Sequence, residues 1–144
     1  MPTIENITVL QSLEIFRTIP EQDLLKIASI LKEKEVGAGE DVIREGDMGT
    51  SMFIIVEGRV RVHLNGKQIA VLGSGSSIGE LAALDPEPRS ASVTALVETL
   101  LLELDGQDLY TIMSKRIDVV RALFRILCER VRSALPKADP PPQQ

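Results

Sequence analysis

The residues best suited to chemistry lie between Ser77 and Val93, in the run SIGELAALDPEPRSASV. Gly79, Glu80, Leu81 and Ala82 have the makings of a tight turn opening one short helical turn. Arg89 follows a proline-containing loop, and Ser90-Ala91-Ser92-Val93 resumes an extended pattern. A buried phosphate diester needs free backbone N–H donors and a cation that keeps its proton. The start of a helical turn supplies unpaired N–H groups and a partial positive charge. Arginine supplies a permanently charged fork that matches two phosphate oxygens at once. Glu80 is the odd member, because a carboxylate beside an anion is repulsive. It fits if it accepts a hydrogen bond from a ligand hydroxyl while Arg89 neutralises the phosphate.

Each residue also has a plainer reading. An arginine after proline is usually a solvated surface charge, and a glutamate at a helix start can simply cap free N–H groups. Their joint occurrence at workable spacing favours a pocket over these alternatives. Asp85 and Glu87 add two acids just before Arg89, where they could pair with it or weaken anion binding. The expectation is reduced affinity with the site retained. His63 has no second His or Cys within ligand reach in sequence, so a metal role is not expected.

The run G-E-L-A, six residues, then R-S-A-S-V resembles the phosphate-binding cassette of the cyclic nucleotide-binding domain family. The similarity in pattern extends from about Val9 to Ser133 and takes in Phe16, GEDVIREGDMG and MFIIVEGRVRV. The resemblance implies that Glu80 holds a ribose hydroxyl and Arg89 the cyclic phosphate. With Gly79 forming the turn, the amides of Leu81, Ala82 and Ala91 would support the same phosphate. A hydroxyl at Ser90 is compatible with cyclic AMP and can help bind cyclic GMP. Val62, Ile69 and Ala70 are candidates for the wall under the base, with ordinary core as the alternative. One of Arg125, Arg130 and Arg132 could stack over the base.

Composition limits the remaining choices. The 144-residue chain fits one domain with a core. It is 44% hydrophobic with only 3% aromatics and no Trp, so Leu, Ile and Val must build that core. The formal charge of −5 disfavours nucleic acid and anionic membrane surfaces as partners. No apolar run approaches the roughly 20 residues of a membrane span, and no secretory leader is evident, so a cytoplasmic location is expected. Cys128, the single cysteine, reads as a small buried hydrophobe in a helix.

The elements that must position the cassette follow from periodicity. The first 34 residues read as helical, with Leu10, Leu13 and Phe16 on one stripe. Thr18-x-x-Glu21 has the spacing of a capping box around Pro20. Asp41–Arg44, Ser51–Glu57, Arg59–Leu64, Ile69–Leu72, Ser90–Ala95 and Thr99–Leu104 read as strands. Asn65-Gly66 marks a hairpin. Asp105 is placed to cap a short helix containing Leu109, Tyr110, Ile112 and Met113. A longer helix follows from about Ile117 to Leu135, with Ile117, Val120, Phe124, Leu127 and Val131 on one stripe. That stripe could pack on the protein's own sheet or against a second copy. Pro136 stops the helix, and residues 136–144 read as a disordered Pro-rich tail after a domain of residues 1–135.

The expected fold is α+β, mainly β: an eight-stranded jelly-roll-like β-roll flanked by N-terminal helices and two C-terminal helices. The expected function is that of a regulatory module, not an enzyme. It would bind a cyclic nucleoside monophosphate, cyclic AMP or else cyclic GMP, and report occupancy by moving its C-terminal helices. It would need no other cofactor or metal. Its partners would be an effector domain or protein outside this sequence and, through the C-terminal helix, a second copy. The alternatives are a ligand-free relic serving protein contacts or dimerisation, and a metal-dependent roll enzyme. One His and one Cys disfavour the latter.

Overall fold

A computed structural model of the protein describes residues 4–136. The chain opens with helix α1 (Ile4–Ser12), a single 3-10 turn (Glu14–Phe16) and α2 (Glu21–Ile30). Six strands follow: β1 (Lys32–Val36), β2 (Asp41–Ile43), β3 (Met48–Gly49), β4 (Ser51–Glu57), β5 (Arg59–Leu64) and β6 (Lys67–Gly73). The cassette region contributes β7 (Ser77–Ile78), α3 (Glu80–Leu84), β8 (Glu87–Pro88) and β9 (Ser92–Ala95). Strand β10 (Thr99–Asp105) and helices α4 (Gly106–Lys115) and α5 (Ile117–Ala134) complete it.

Eight strands form two four-stranded antiparallel sheets, ordered β1-β10-β4-β7 and β2-β9-β5-β6. The remaining two, β3 and β8, form a small ribbon. The architecture is therefore the expected roll with helices at both ends of the chain. Strand β4 shows why its sequence, SMFIIVE, does not alternate. Phe53 and Ile55 face the core between the sheets, with Val60, Val93 and Leu101. Met52, Ile54 and Val56 face the helices, with Leu10, Phe16, Leu24 and Leu109. Both faces are buried, so both are apolar. The β5–β6 hairpin turns at Asn65-Gly66, both with positive φ (53° and 77°). Outside the roll, His63 Nε2–H donates to Thr94 Oγ1 (2.8 Å), which donates to Asp41 Oδ1 (2.8 Å), linking β5, β9 and β2.

Several local expectations need correction. The N-terminal helical region stops at Ile30, and KEKEV is an edge strand pairing Lys32 with Glu103 through Val36 with Thr99. Its alternating charges suit an exposed edge. Thr18 caps nothing: Pro20 is the N-cap of α2, so the Thr falls two residues too early. Its hydroxyl instead donates to Asp118 Oδ2 (2.6 Å). Asp105 does cap α4, accepting from Gln107 N (3.2 Å). On α5 the buried side chains are Val119, Ala122 and Leu123. The stripe expected to seek burial is largely outward-facing: Ile117, Phe124 and Val131 are exposed. Cys128 is exposed as well, so it is not a core residue. The 137–144 part of the expected tail lies outside the described residues.

Asp118 ties α5 to the N-terminal helices. Arg116 donates to both its carboxylate oxygens (3.0 and 2.7 Å), and Arg116 Nη1 lies 3.4 Å from Asp23 Oδ2. The Arg116 bond, then the Thr18 hydroxyl, pull the Asp118 carboxyl down from 3.8 to about 2. A carboxyl whose folded pKa is depressed stabilises fully above its unfolded value and loses that contribution as pH falls through the folded one. Urea unfolding should therefore show stability declining between about pH 5 and pH 2. Asp118→Asn should flatten that decline and lower stability at pH 7.

Candidate functional site

The turn between β7 and α3 sets the site. Gly79 adopts φ 82°, ψ 19°, a left-handed geometry that costs glycine little, and hands the chain directly into α3. Ala83 N returns to Gly79 O (3.3 Å), so the first N–H to close the helix belongs to Ala83. The amides of Glu80, Leu81 and Ala82 precede it, at the positive end of the turn.

Arg89 comes from the opposite wall. Its backbone is fixed on both sides, with Arg89 N donating to Asp47 O (2.8 Å) and Gly46 N to Arg89 O (2.9 Å). The β3–β8 ribbon lies beside it, pairing Gly49 with Glu87. The guanidinium passes between two glycines. A Cβ on Gly49 would sit 2.5 Å from Arg89 Cζ, and one on Gly79 would sit 2.6 Å from Arg89 Nη1. Arg89 Nη2 donates to Ser51 O (2.8 Å), and the cation lies 5.9 Å from the centre of the Phe53 ring. Ser51 Oγ in turn donates to Glu103 Oε2 (2.8 Å). Burial pulls the Arg89 guanidinium below its ordinary value, while the charges of Glu103 and Glu87 oppose that shift. Arginine's high intrinsic basicity keeps it charged. Among the described residues, Arg89 Nη1 is the buried side-chain polar atom with no hydrogen-bond partner. An orphaned donor on a buried cation is costly, and an anion would satisfy it.

Glu80 is only 3% exposed. Ser77 Oγ donates to its Oε1, and Arg130 Nη2 donates to its Oε2 at 2.8 Å. Arg130 reaches over from α5, so the carboxylate expected to hold a ligand hydroxyl is engaged by the C-terminal helix.

These parts line one cavity of about 250 Å³. Of the residues singled out from sequence, Gly79, Glu80, Leu81, Ala82, Arg89, Ser90, Ala91 and Val62 line it. Ile69 and Ala70 are not brought to it; Ile69 is 59% exposed on β6. Successive strand residues point to opposite faces, so Leu72 and not Ile69 reaches the cavity. Leu72, Ile43 and Val93 form its apolar wall beside Val62. Sequence reasoning missed Leu72, Ile43 and Ser77, although Leu72 follows from strand parity once the hairpin register is fixed. Asp85 does not line the cavity, whereas Glu87 does. A larger groove of about 850 Å³ adjoins it and shares Leu72, Ser77, Glu80 and Arg130, so the Glu80–Arg130 pair stands between the two. No group of three or more His, Cys, Asp or Glu among the described residues could hold a metal ion.

Residues 33–116 match the family model described as the cyclic nucleotide-binding domain. A cyclic nucleotide-gated potassium channel of Rhizobium etli is 32% identical over 134 residues, 93% of this chain and 37% of that protein. The chain spans about a third of the length of the first curated relatives it matches. Among solved structures, the N-terminal domain of a transcriptional regulator from Streptomyces coelicolor A3(2) is 32% identical, with a TM-score of 0.75. It is matched over 87% of this chain and 91% of its own. The regulatory domain of Toxoplasma gondii PKA, co-crystallised with cAMP, is 30% identical with a TM-score of 0.67, over 75% of this chain and 43% of its own. The turn at Gly79, the buried Glu80 and the orphaned guanidinium of Arg89 all fall inside the matched span, and the chain belongs to the cyclic nucleotide-binding domain family.

Proposed function

We propose that this protein is a regulatory, non-catalytic module that binds cyclic AMP and signals occupancy through α5. The observation that carries the reading is the buried, unpartnered Nη1 of Arg89, a residue that lines one cavity with the first residues of α3. A cyclic phosphate would take that donor together with the amides of Leu81, Ala82 and Ala91. The ribose hydroxyl would go to Glu80, and the base would lie on the wall of Val62, Leu72 and Val93. Cyclic AMP is favoured because a similar regulatory domain was crystallised with it. Ser90 at the cavity wall leaves cyclic GMP as a weaker ligand. No described helix is long and apolar enough to cross a membrane, and the cytoplasm is the compartment we assign. The domain extends over residues 1–135, and an effector outside this sequence receives the signal.

Coupling to α5 rests on competition for one carboxylate. A ribose hydroxyl would compete with Arg130, which holds Oε2 of Glu80 while Ser77 holds Oε1. Binding therefore releases Arg130, and a ligand that favours the released state shifts the population toward it. Calorimetric titration with cyclic AMP, cyclic GMP and linear 5′-AMP tests the ligand. Arg130→Ala tests the coupling: cyclic AMP should bind about two- to tenfold tighter, because nothing has to be displaced. The 2′-deoxy analogue, which does not call on Glu80, should bind as to the parent. Weaker binding of both ligands would make Arg130 a ligand contact and end the competition model.

A second copy is the partner we assign to the outer face of α5. Ile117, Val120, Phe124, Leu127 and Val131 alternate at three- and four-residue spacing, the seam of a two-stranded coiled coil. Phe124 is 61% exposed and lines an apolar hollow with Tyr110, Met113 and Leu127. A monomer in sedimentation equilibrium would remove this assignment.

A further inference from the structure

The cavity wall carries two guanidinium groups, Arg89 and Arg130, and two carboxylates, Glu80 and Glu87, for a formal sum of zero. Glu80 and Arg130 satisfy each other, and Arg89 offers its free donor to an anion. Glu87 is the member left over: it borders the space where an anion is to sit, and its negative charge reaches the Arg89 guanidinium. Its backbone is set by pairing with Gly49 in the β3–β8 ribbon. It stands two residues before Arg89, and alternate residues of an extended segment project to the same side. Among the described residues no ion pair engages it. Behind Arg89, Glu103 supplies a further negative charge that the guanidinium feels along with that of Glu87.

Resting on the cyclic nucleotide reading above, we propose that Glu87 is a charge filter that favours a monoanionic phosphodiester over a dianionic phosphomonoester. One negative charge on the ligand is matched by Arg89. A second would face Glu87, because the other cation lining the cavity, Arg130, stands at Glu80 in this structure and withdraws with α5 when ligand binds. The ring of a cyclic nucleotide thus does two things here: it fits the cavity, and it removes the charge that Glu87 repels. Glu87 is exposed to solvent, which screens the repulsion and keeps the effect moderate.

Three probes separate charge from ring closure: cyclic AMP, 5′-AMP and the monomethyl ester of 5′-AMP. The ester is acyclic yet monoanionic, whereas a phosphomonoester, with its second pKa near about 6, carries about two charges at pH 7.5. Each displaces a fluorescent cyclic AMP analogue from the parent and from Glu87→Gln at low ionic strength. In the parent, 5′-AMP should bind more weakly than its ester. In Glu87→Gln that gap should shrink by about three- to tenfold, with the ratio of ester to cyclic AMP unchanged. The parent alone gives a second reading: raising salt from about 0.05 M to about 0.5 M should narrow the same gap. An equal gap in both proteins, no displacement by 5′-AMP from the variant, or a salt-independent gap in the parent overturns the filter while cyclic AMP still binds. A parent that does not bind cyclic AMP overturns the site assignment itself, which is a different result.

Discussion

Replacing Arg89 by lysine should weaken cyclic AMP binding by about 1.5–3 kcal/mol, roughly 10- to 150-fold in Kd, with the fold retained. The guanidinium has two ends in one plane: Nη2 holds Ser51 O, and Nη1, packed beside Gly79, has no partner. A lysine ammonium is a single point and cannot keep the first while presenting the second at the same angle. The narrow passage between Gly49 and Gly79 admits the slimmer side chain without a clash. Stability should change by less than about 1 kcal/mol, because the orphaned Nη1 that costs the unliganded protein is removed along with the Ser51 bond. Titration calorimetry and urea unfolding of the same sample read both quantities. A variant that binds like the parent would mean that Arg89 does not hold the phosphate.

Gly79→Ala should be more damaging, because it acts on backbone and ligand site together. At φ 82° an alanine is strained, at about 1–3 kcal/mol. Its Cβ would also lie 2.6 Å from Arg89 Nη1 and 3.1 Å from Ser51 O, pressing on the guanidinium and on the carbonyl that Nη2 holds. The chain can relieve this only by turning α3 or moving Arg89, and either separates the amides from the cation. Unfolding should show the loss of stability, and cyclic AMP affinity should fall at least as far as in Arg89→Lys. The double variant should fall short of the sum, because both changes act on one guanidinium. Full stability together with parental affinity would contradict the left-handed turn and the close approach.

Most of the cassette was legible in the sequence because its chemistry is local. A glycine able to adopt positive φ, a helix start and an arginine ten residues later lie close in the chain, so residue types and spacing were enough to assemble them. The hairpin at Asn65-Gly66 and the Asp105 cap were readable for the same reason. Failures came where the partner is distant. Thr18 and Glu21 have capping-box spacing, but the hydroxyl has a stronger acceptor in Asp118, 100 residues away. Lys32–Val36 continues a helical region in sequence, yet β10 offers its edge and draws the segment into the sheet.

The apolar stripe of α5 makes the same point for function. Its period is plain in the sequence, but which face of an amphipathic helix is buried depends on what lies beside it. Here Val119, Ala122 and Leu123 meet the core, and the longer stripe looks outward. Strand parity alone could not tell Ile69 from Leu72 as cavity wall until the register of β6 against β5 was fixed. Nor does the sequence indicate that Arg130, fifty residues on, closes over Glu80. Short-range stereochemistry, set by glycine, proline and the unpaired amides of a helix start, made the proposed anion-binding element readable from sequence alone. Which long side chains reach it, and which helix face is left open, depended on packing between segments far apart in the chain, and only the tertiary structure decided that.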